Sequence, residues 1–358
     1  MKLESPTISV IVPTYNRADM LADCIDSILN QTMNDFEVIV VSDGSTDQTK
    51  EVIGNYNDPR LLFFEKENGG QASARNLGIK KSKGKYISFC DDDDRFYSDH
   101  LEILHRILET NKDIGLVYSD AVWVYKNGSK EPEVKFCKDF DKKSFENFNY
   151  ITTQTVLFRK SRLRDVDLFD ESVGFRDGLE DWEFFLRLSD ICRFSHLKKI
   201  TAEYVVHNGN SFQSGSGYDY NRAFFIVRTR RFQFLLKRYD YRIFDHVDHM
   251  YPYHLVQCYM NNGKFKQAAE IAGHLYQLFH IFKQESNGAP FTELLILFSL
   301  GISSFALGRQ TDAGDFMNRI LDCAAYQNIE KSFVDFIIQY TKRIENSALR
   351  TLLVNCFL

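Results

Sequence analysis

Between residues 8 and 90, short apolar runs alternate with amphipathic stretches. Residues 8–12 (ISVIV) form a short run, apolar but for Ser9 and stopped by Pro13, the pattern of a strand buried on both faces of a parallel sheet. Residues 18–31 then place Met20/Leu21, Cys24/Ile25 and Ile28/Leu29 at helical spacing. A second strand is predicted at 36–41 (FEVIVV), followed by a turn at Ser42-Asp43-Gly44-Ser45. Asp47 suits the N-cap of a helix running to about Tyr56. A third strand at 61–65, a third helix at 71–81 and a fourth strand at 86–90 continue the rhythm. Strands alternating with helices predict an α/β fold, a mostly parallel sheet flanked by helices. Ligands of such sheets bind beyond the carboxyl ends of the strands, so the polar segments after each strand are where chemistry is expected.

The second half changes character. Residues 211–217 (SFQSGSG) suit a linker, and from Tyr220 onward apolar residues recur at helical spacing. Two segments resemble each other, GKFKQA at 263–268 and GRQTDA at 308–313, each a Gly followed five residues later by Ala. They are similar to the turn of a tetratricopeptide-type hairpin, although they lie 45 residues apart rather than about 34. The expected division is therefore a catalytic α/β domain over 1–217 and an all-α, helical-repeat-like domain over 218–358. Stacked hairpins expose broad surfaces, which makes the second domain a candidate for a protein partner or a homo-oligomer contact. A plain helical bundle is the other reading. His246, His249 and His254 have ligand-like side chains, but nothing links them to the sheet, and exposed helix positions account for them.

The chain has 358 residues, 44% of them hydrophobic, which is enough for a large core. A net charge of -5 provides no positive field to recruit nucleic acid. Seven scattered cysteines without a CxxC pair fit reduced thiols in a cytoplasmic protein better than a disulfide framework. No stretch approaches the roughly 20 apolar residues that span a bilayer, and the start lacks a signal-peptide pattern. The expectation is a cytoplasmic enzyme, with peripheral contact at the inner membrane face left open.

The sharpest chemical signal is Asp91-Asp92-Asp93-Asp94, directly after the fourth strand. Strand alternation would send Asp91 and Asp93 the same way, and paired carboxylates need a cation between them. Hard oxygen ligands favour Mg²⁺ or Mn²⁺.

Five motifs in order, VIVPTYNR, VVSDGSTD, NGGQASARNLG, FCDDDD and LEDWEFFLRL, resemble the inverting family 2 glycosyltransferases of the GT-A fold, over roughly residues 6 to 212. The resemblance implies a nucleotide-sugar donor, with a UDP-sugar favoured. Pro13, Thr14, Tyr15, Asn16 and Arg17 would hold its base and ribose, and Asp43 would recognise the base. Gly70, with Gly69, would let the backbone approach the ligand. Arg75 would act near the diphosphate or the acidic motif, and Asp92 on the ribose or sugar. Asp91 and Asp93 match the DxD signature that holds Mn²⁺ or Mg²⁺, and His207 matches a late histidine that ligates metal or diphosphate in some members. Asp181 corresponds to the general base that takes the acceptor hydroxyl's proton during direct displacement. Helical spacing turns the neighbouring Glu180 away if Asp181 faces the cleft. Trp182 suits either an acceptor sugar or the core. The acceptor would be a hydroxyl of a glycan or glycolipid in surface polysaccharide or glycoconjugate synthesis, extended by one residue.

Two rivals remain. A nucleotidyltransferase would carry a Gly- and basic-rich first loop where this chain has PTYNR, and no GxGxxG or GxxxxGK[ST] occurs. A non-catalytic scaffold acting through its helical domain would have no reason to keep Asp91, Asp93 and Asp181 together.

Overall fold

A computed structural model describes residues 5–207 except 127, 129, 136 and 172–177, together with Val227, Arg231, Lys266, Ala272 and Gly273. The chain divides into two compact units, Met1–Val227 and Arg228–Leu358. Beyond five isolated helical positions, the segment 218–358, with its repeated turns and three histidines, lies outside the described residues.

Four strands form the parallel half of the sheet: β1 (Ile8–Thr14), β2 (Phe36–Ser42), β3 (Leu61–Glu65) and β4 (Tyr86–Phe89). β1 lies between β2 and β4, and β2 pairs with β3. Every residue of β1 and β2 is buried, as mainly apolar strands covered on both faces should be, and the polar Ser9 donates to Glu37 Oε1 at 2.6 Å. β1 does not stop at Pro13 as expected but continues to Thr14. Ile11 accepts from the Cys90 N–H on the β4 side, and Thr14 accepts from the Asp43 N–H on the β2 side. Pro13 therefore turns its missing N–H toward β4, beyond the last paired residue of that strand, where no ladder bond is lost.

The other half of the sheet is mixed, which periodicity over residues 8–90 could not reveal. β8 (Val156–Arg159) runs antiparallel between β4 and β6 (Ile114–Tyr125), and β9 (Arg193–Val206) runs parallel to β6. Short β5 (Arg95–Phe96) closes on β9, and β7 (Glu133–Lys135) on β6.

Helices cover both faces. α1 (Ala18–Leu29) and α4 (His100–Thr110) bury Leu21, Cys24, Ile25 and Ile28, and Leu101, Leu104 and Leu108, in one core with Ile8, Val10 and Val12. α3 (Gln71–Lys81), α5 (Lys142–Asn147) and α6 (Glu180–Ser189) close the opposite face around Ile11, Phe89, Phe158 and Phe184. α3 lies so close to β1 that a Cβ on Gly78 would sit 2.4 Å from Ile11 Cγ2. Asp47 stands one residue before Gln48, the N-cap of α2 (Thr49–Gly54). Its carboxylate still accepts from the N–H of Thr49 (3.1 Å) and of Ala18 (2.9 Å), fastening the starts of α2 and α1 together. Among the described residues no helix is long and apolar enough to cross a membrane, and Cys24, Cys90, Cys137 and Cys192 are free thiols.

Candidate active site

The carboxyl ends of β1, β2 and β4 open onto a cleft of about 380 Å³, bounded on its far side by the start of α6. Of the residues given a donor, metal or catalytic role from the sequence, eleven line it; Asn16, Gly69 and His207 do not.

One end is built by the loops after β1 and β2. Pro13, Thr14 and Tyr15 line it, and Tyr15 is 48% exposed. Asn16 has a left-handed backbone (φ 51°) and a bracing role: its Oδ1 accepts from the Thr46 N–H at 2.7 Å, and its own N–H donates to Ser45 Oγ at 3.1 Å. Asp43 is buried, and its carboxylate accepts from Lys66 Nζ (2.7 Å), the Gly69 N–H (3.0 Å) and the Gly70 N–H (2.7 Å). Gly70 takes φ 92° to present that N–H at the head of α3, a conformation that a side chain would strain. The three bonds leave Asp43 some acceptor capacity for a ligand N–H.

The acidic run is a turn. The Asp94 N–H donates to the Asp91 carbonyl (2.9 Å), so strand alternation ends at Phe89 and does not pair Asp91 with Asp93. Asp91 faces α3 and accepts from Arg75 Nη2 (2.7 Å), Gln71 Nε2 (3.0 Å) and Thr153 Oγ1 (3.3 Å). The carboxylates that converge are Asp92 and Asp93, which share Arg17 Nη1 at 2.9 and 2.7 Å. His207 reaches the site through Asp93, with Nε2 2.9 Å from Oδ2. Burial, opposed by Arg17 and reinforced by Asp93, pushes Asp92 up to about 7. Burial also holds Asp94 well above the carboxylate range, while its Oδ1 accepts from the Val205 N–H at 2.9 Å. Two arginines and retained protons thus make four adjacent carboxyls tolerable in a buried turn.

α6 supplies the opposite wall. Its approach runs through Gly178 (φ 104°) and Leu179 (φ 68°), a left-handed leucine that costs roughly 1–3 kcal/mol. Both Glu180 and Asp181 line the cleft. Glu180 is not turned away, because Arg75 Nη1 holds its Oε1 at 2.5 Å. Asp181 has no direct bond to a cation among the described residues. Desolvation, reinforced by the charge of Glu180 and opposed by that of Arg75, raises its pKa to about 7. Trp182 is a core residue: it is fully buried, and its Nε1 donates to the Phe145 carbonyl at 2.8 Å.

Sequence reasoning missed a third wall, Asn149 with Thr152, Thr153 and Gln154, and also Gln71 and Tyr204. The one signal available was a polar TTQT run just ahead of the apolar VLF of β8.

Residues 9–166 match the sequence model described as "Glycosyl transferase family 2". The chain carries a glycosyl transferase family 2 domain. A chondroitin synthase of Pasteurella multocida is 32% identical over 255 residues, and a hyaluronan synthase of the same species is 33% identical over 255. Each alignment covers 69% of this chain, which spans only about a quarter of those relatives (26% and 25%). An uncharacterised glycosyltransferase of Rickettsia typhi is 35% identical over 198 residues, 52% of this chain and 61% of that one. Among solved structures, S. aureus TarS 1-349 in complex with UDP is similar in fold, with a TM-score of 0.55, 21% identity and coverage of 87% and 89%. The mixed sheet with helices on both faces is thus a GT-A-like fold.

Proposed function

We propose that this family 2 glycosyltransferase domain moves a sugar, with inversion, from a UDP-linked donor to a hydroxyl of a glycan or glycolipid. The observation that carries the reading is the placement of Asp181, with a pKa near 7, across one cleft from the acidic turn and the Tyr15–Asp43 end. The chondroitin and hyaluronan synthases named above and the UDP complex of TarS support a polysaccharide context and a uridine nucleotide.

In this reading the base stacks on Tyr15, and Asp43 accepts its imide N–H. Arg17 and Arg75, already paired with carboxylates of the acidic turn, stand beside the diphosphate. Asp181 accepts the proton of the acceptor hydroxyl as that oxygen attacks the anomeric carbon opposite the departing diphosphate. Among the described residues no three His, Cys, Asp or Glu side chains form a metal cage. A divalent ion shared with a diphosphate needs less, since Mg²⁺ and Mn²⁺ take one or two carboxylates and keep open positions. Asp93 beside His207, and the buried Asp92 Oδ2, which has no hydrogen-bond partner among the described residues, fit that donor set. A bound Mn²⁺ or Mg²⁺ would neutralise charge building on the leaving UDP.

The test is donor hydrolysis and transfer by the full chain with a panel of UDP-sugars, Mn²⁺ or EDTA, and simple glycan acceptors. The anomeric configuration of the product is read by NMR. Release of UDP by the wild type and its loss in Asp181→Asn are expected. A product with retained configuration would overturn the role given to Asp181.

A further inference from the structure

The wall missed by sequence reasoning holds hydrogen-bonding capacity that none of the described residues uses. Gln154 is 1% exposed and lines the cleft, and its amide nitrogen has no partner among the described residues. Thr152, two residues earlier on the same wall, has a buried hydroxyl that also lacks one. The residues around them are tied down. Thr153 Oγ1 donates to Asp91 Oδ2, and Thr155 Oγ1 donates to the Thr152 carbonyl at 2.7 Å. The segment then continues as β8, paired with β4, the strand that delivers the acidic turn. A buried amide with an unmet bond destabilises the fold, whereas an apolar side chain of the same shape is close to neutral there. Such a group belongs where a ligand completes it.

Position decides which part of a donor that is. Thr153 bonds Asp91, and Arg75 joins Asp91 to Glu180, the neighbour of Asp181. The wall is therefore tied, through Asp91 and Arg75, to the end of the cleft where Asp181 stands. We propose that Gln154, assisted by Thr152, binds an oxygen of the transferred sugar and selects donors that carry it. A ring hydroxyl and the carbonyl of an N-acyl substituent both present such an oxygen, and a carboxamide can meet either with its N–H. The inference rests on the donor site proposed above. A site built to pair a polar group rejects analogues that lack the partner more strongly than an apolar pocket rejects a misfit.

Binding of UDP and of UDP-glucose, UDP-galactose, UDP-N-acetylglucosamine and UDP-N-acetylgalactosamine to the full chain, with Mn²⁺, tests it in wild type, Gln154→Met and Thr152→Val. The wild type is expected to prefer at least one UDP-sugar to UDP. Gln154→Met should keep UDP affinity within twofold and lose about tenfold or more on that UDP-sugar, while melting at the same temperature or higher. A loss confined to N-acetyl donors assigns the acyl oxygen, and a loss on the plain hexoses as well assigns a hydroxyl. Thr152→Val should show a smaller loss of the same kind and decides the matter if Gln154→Met does not fold. Unchanged UDP-sugar affinity in the variants, or an equal loss for UDP, overturns the proposal. A wild type that binds neither UDP nor any UDP-sugar removes the donor site itself, and this inference with it.

Discussion

The guanidinium of Arg75 joins Asp91 in the acidic turn, at 2.7 Å, to Glu180 at the head of α6, at 2.5 Å. Arg75 is 2% exposed, so its charge is matched by those carboxylates rather than by water. One side chain of α3 thereby sets the distance between the wall that would receive the diphosphate and the wall that carries Asp181.

Removing that cation leaves buried carboxylates uncompensated, which typically costs about 3–5 kcal/mol. Arg75→Met is expected to lower the urea midpoint by a corresponding amount and to abolish transfer. Adding Glu180→Gln should restore part of the stability and none of the activity. Unaltered stability in Arg75→Met would show that the bridge carries little of the fold.

Asp181 should impose a pH profile. Its pKa stands at about 7 rather than 3.8, chiefly through desolvation, so the acid form dominates below neutrality. A general base works only when ionised, and kcat should climb about tenfold per pH unit below 7 and level off above it. Stability moves the other way. The proton bound by the folded state favours folding below the unfolded value, and that contribution is lost as pH rises through about 7. Asp181→Asn should remove this falling component from the pH dependence of chemical denaturation.

Metal dependence should be visible in binding before catalysis. Titration calorimetry with UDP is expected to show at least tenfold tighter binding with Mn²⁺ than with EDTA in the wild type. Asp93→Ala should bind alike in both, and His207→Ala should fall between. Equal affinity of the wild type in Mn²⁺ and EDTA would remove Asp93 from the role of ligand.

At the other end of the cleft, Asp43→Ala leaves Lys66 and the Gly69 and Gly70 N–H groups without their shared acceptor. Affinity for UDP should fall more than tenfold. Gly70→Ala, forced into φ 92°, should cost roughly 1–3 kcal/mol by thermal unfolding.

Much of this was legible in the chain. The apolar runs of β1, β2 and β4 follow from local periodicity, because a strand covered on both faces is built mainly from apolar residues and buries its few polar ones only where they find partners, as Ser9 does in Glu37. The polar loops after those strands had to collect at one edge of a parallel sheet, which placed Pro13–Arg17, Asp43 and the acidic run together. Three features needed the tertiary structure. Residues 91–94 turn rather than extend, so Asp92 and Asp93 meet on Arg17 while Asp91 goes to Arg75. Trp182 was ambiguous in sequence because an indole suits a sugar face and a core equally, and only its bond to the Phe145 carbonyl decided between them. The wall of Thr152, Thr153 and Gln154 was hidden because β8 enters the sheet antiparallel, from far along the chain. Periodicity reports which face of an element is buried. Which distant segments share a cleft is set by strand order and register, and those depend on contacts between residues too far apart in sequence for any local pattern to record.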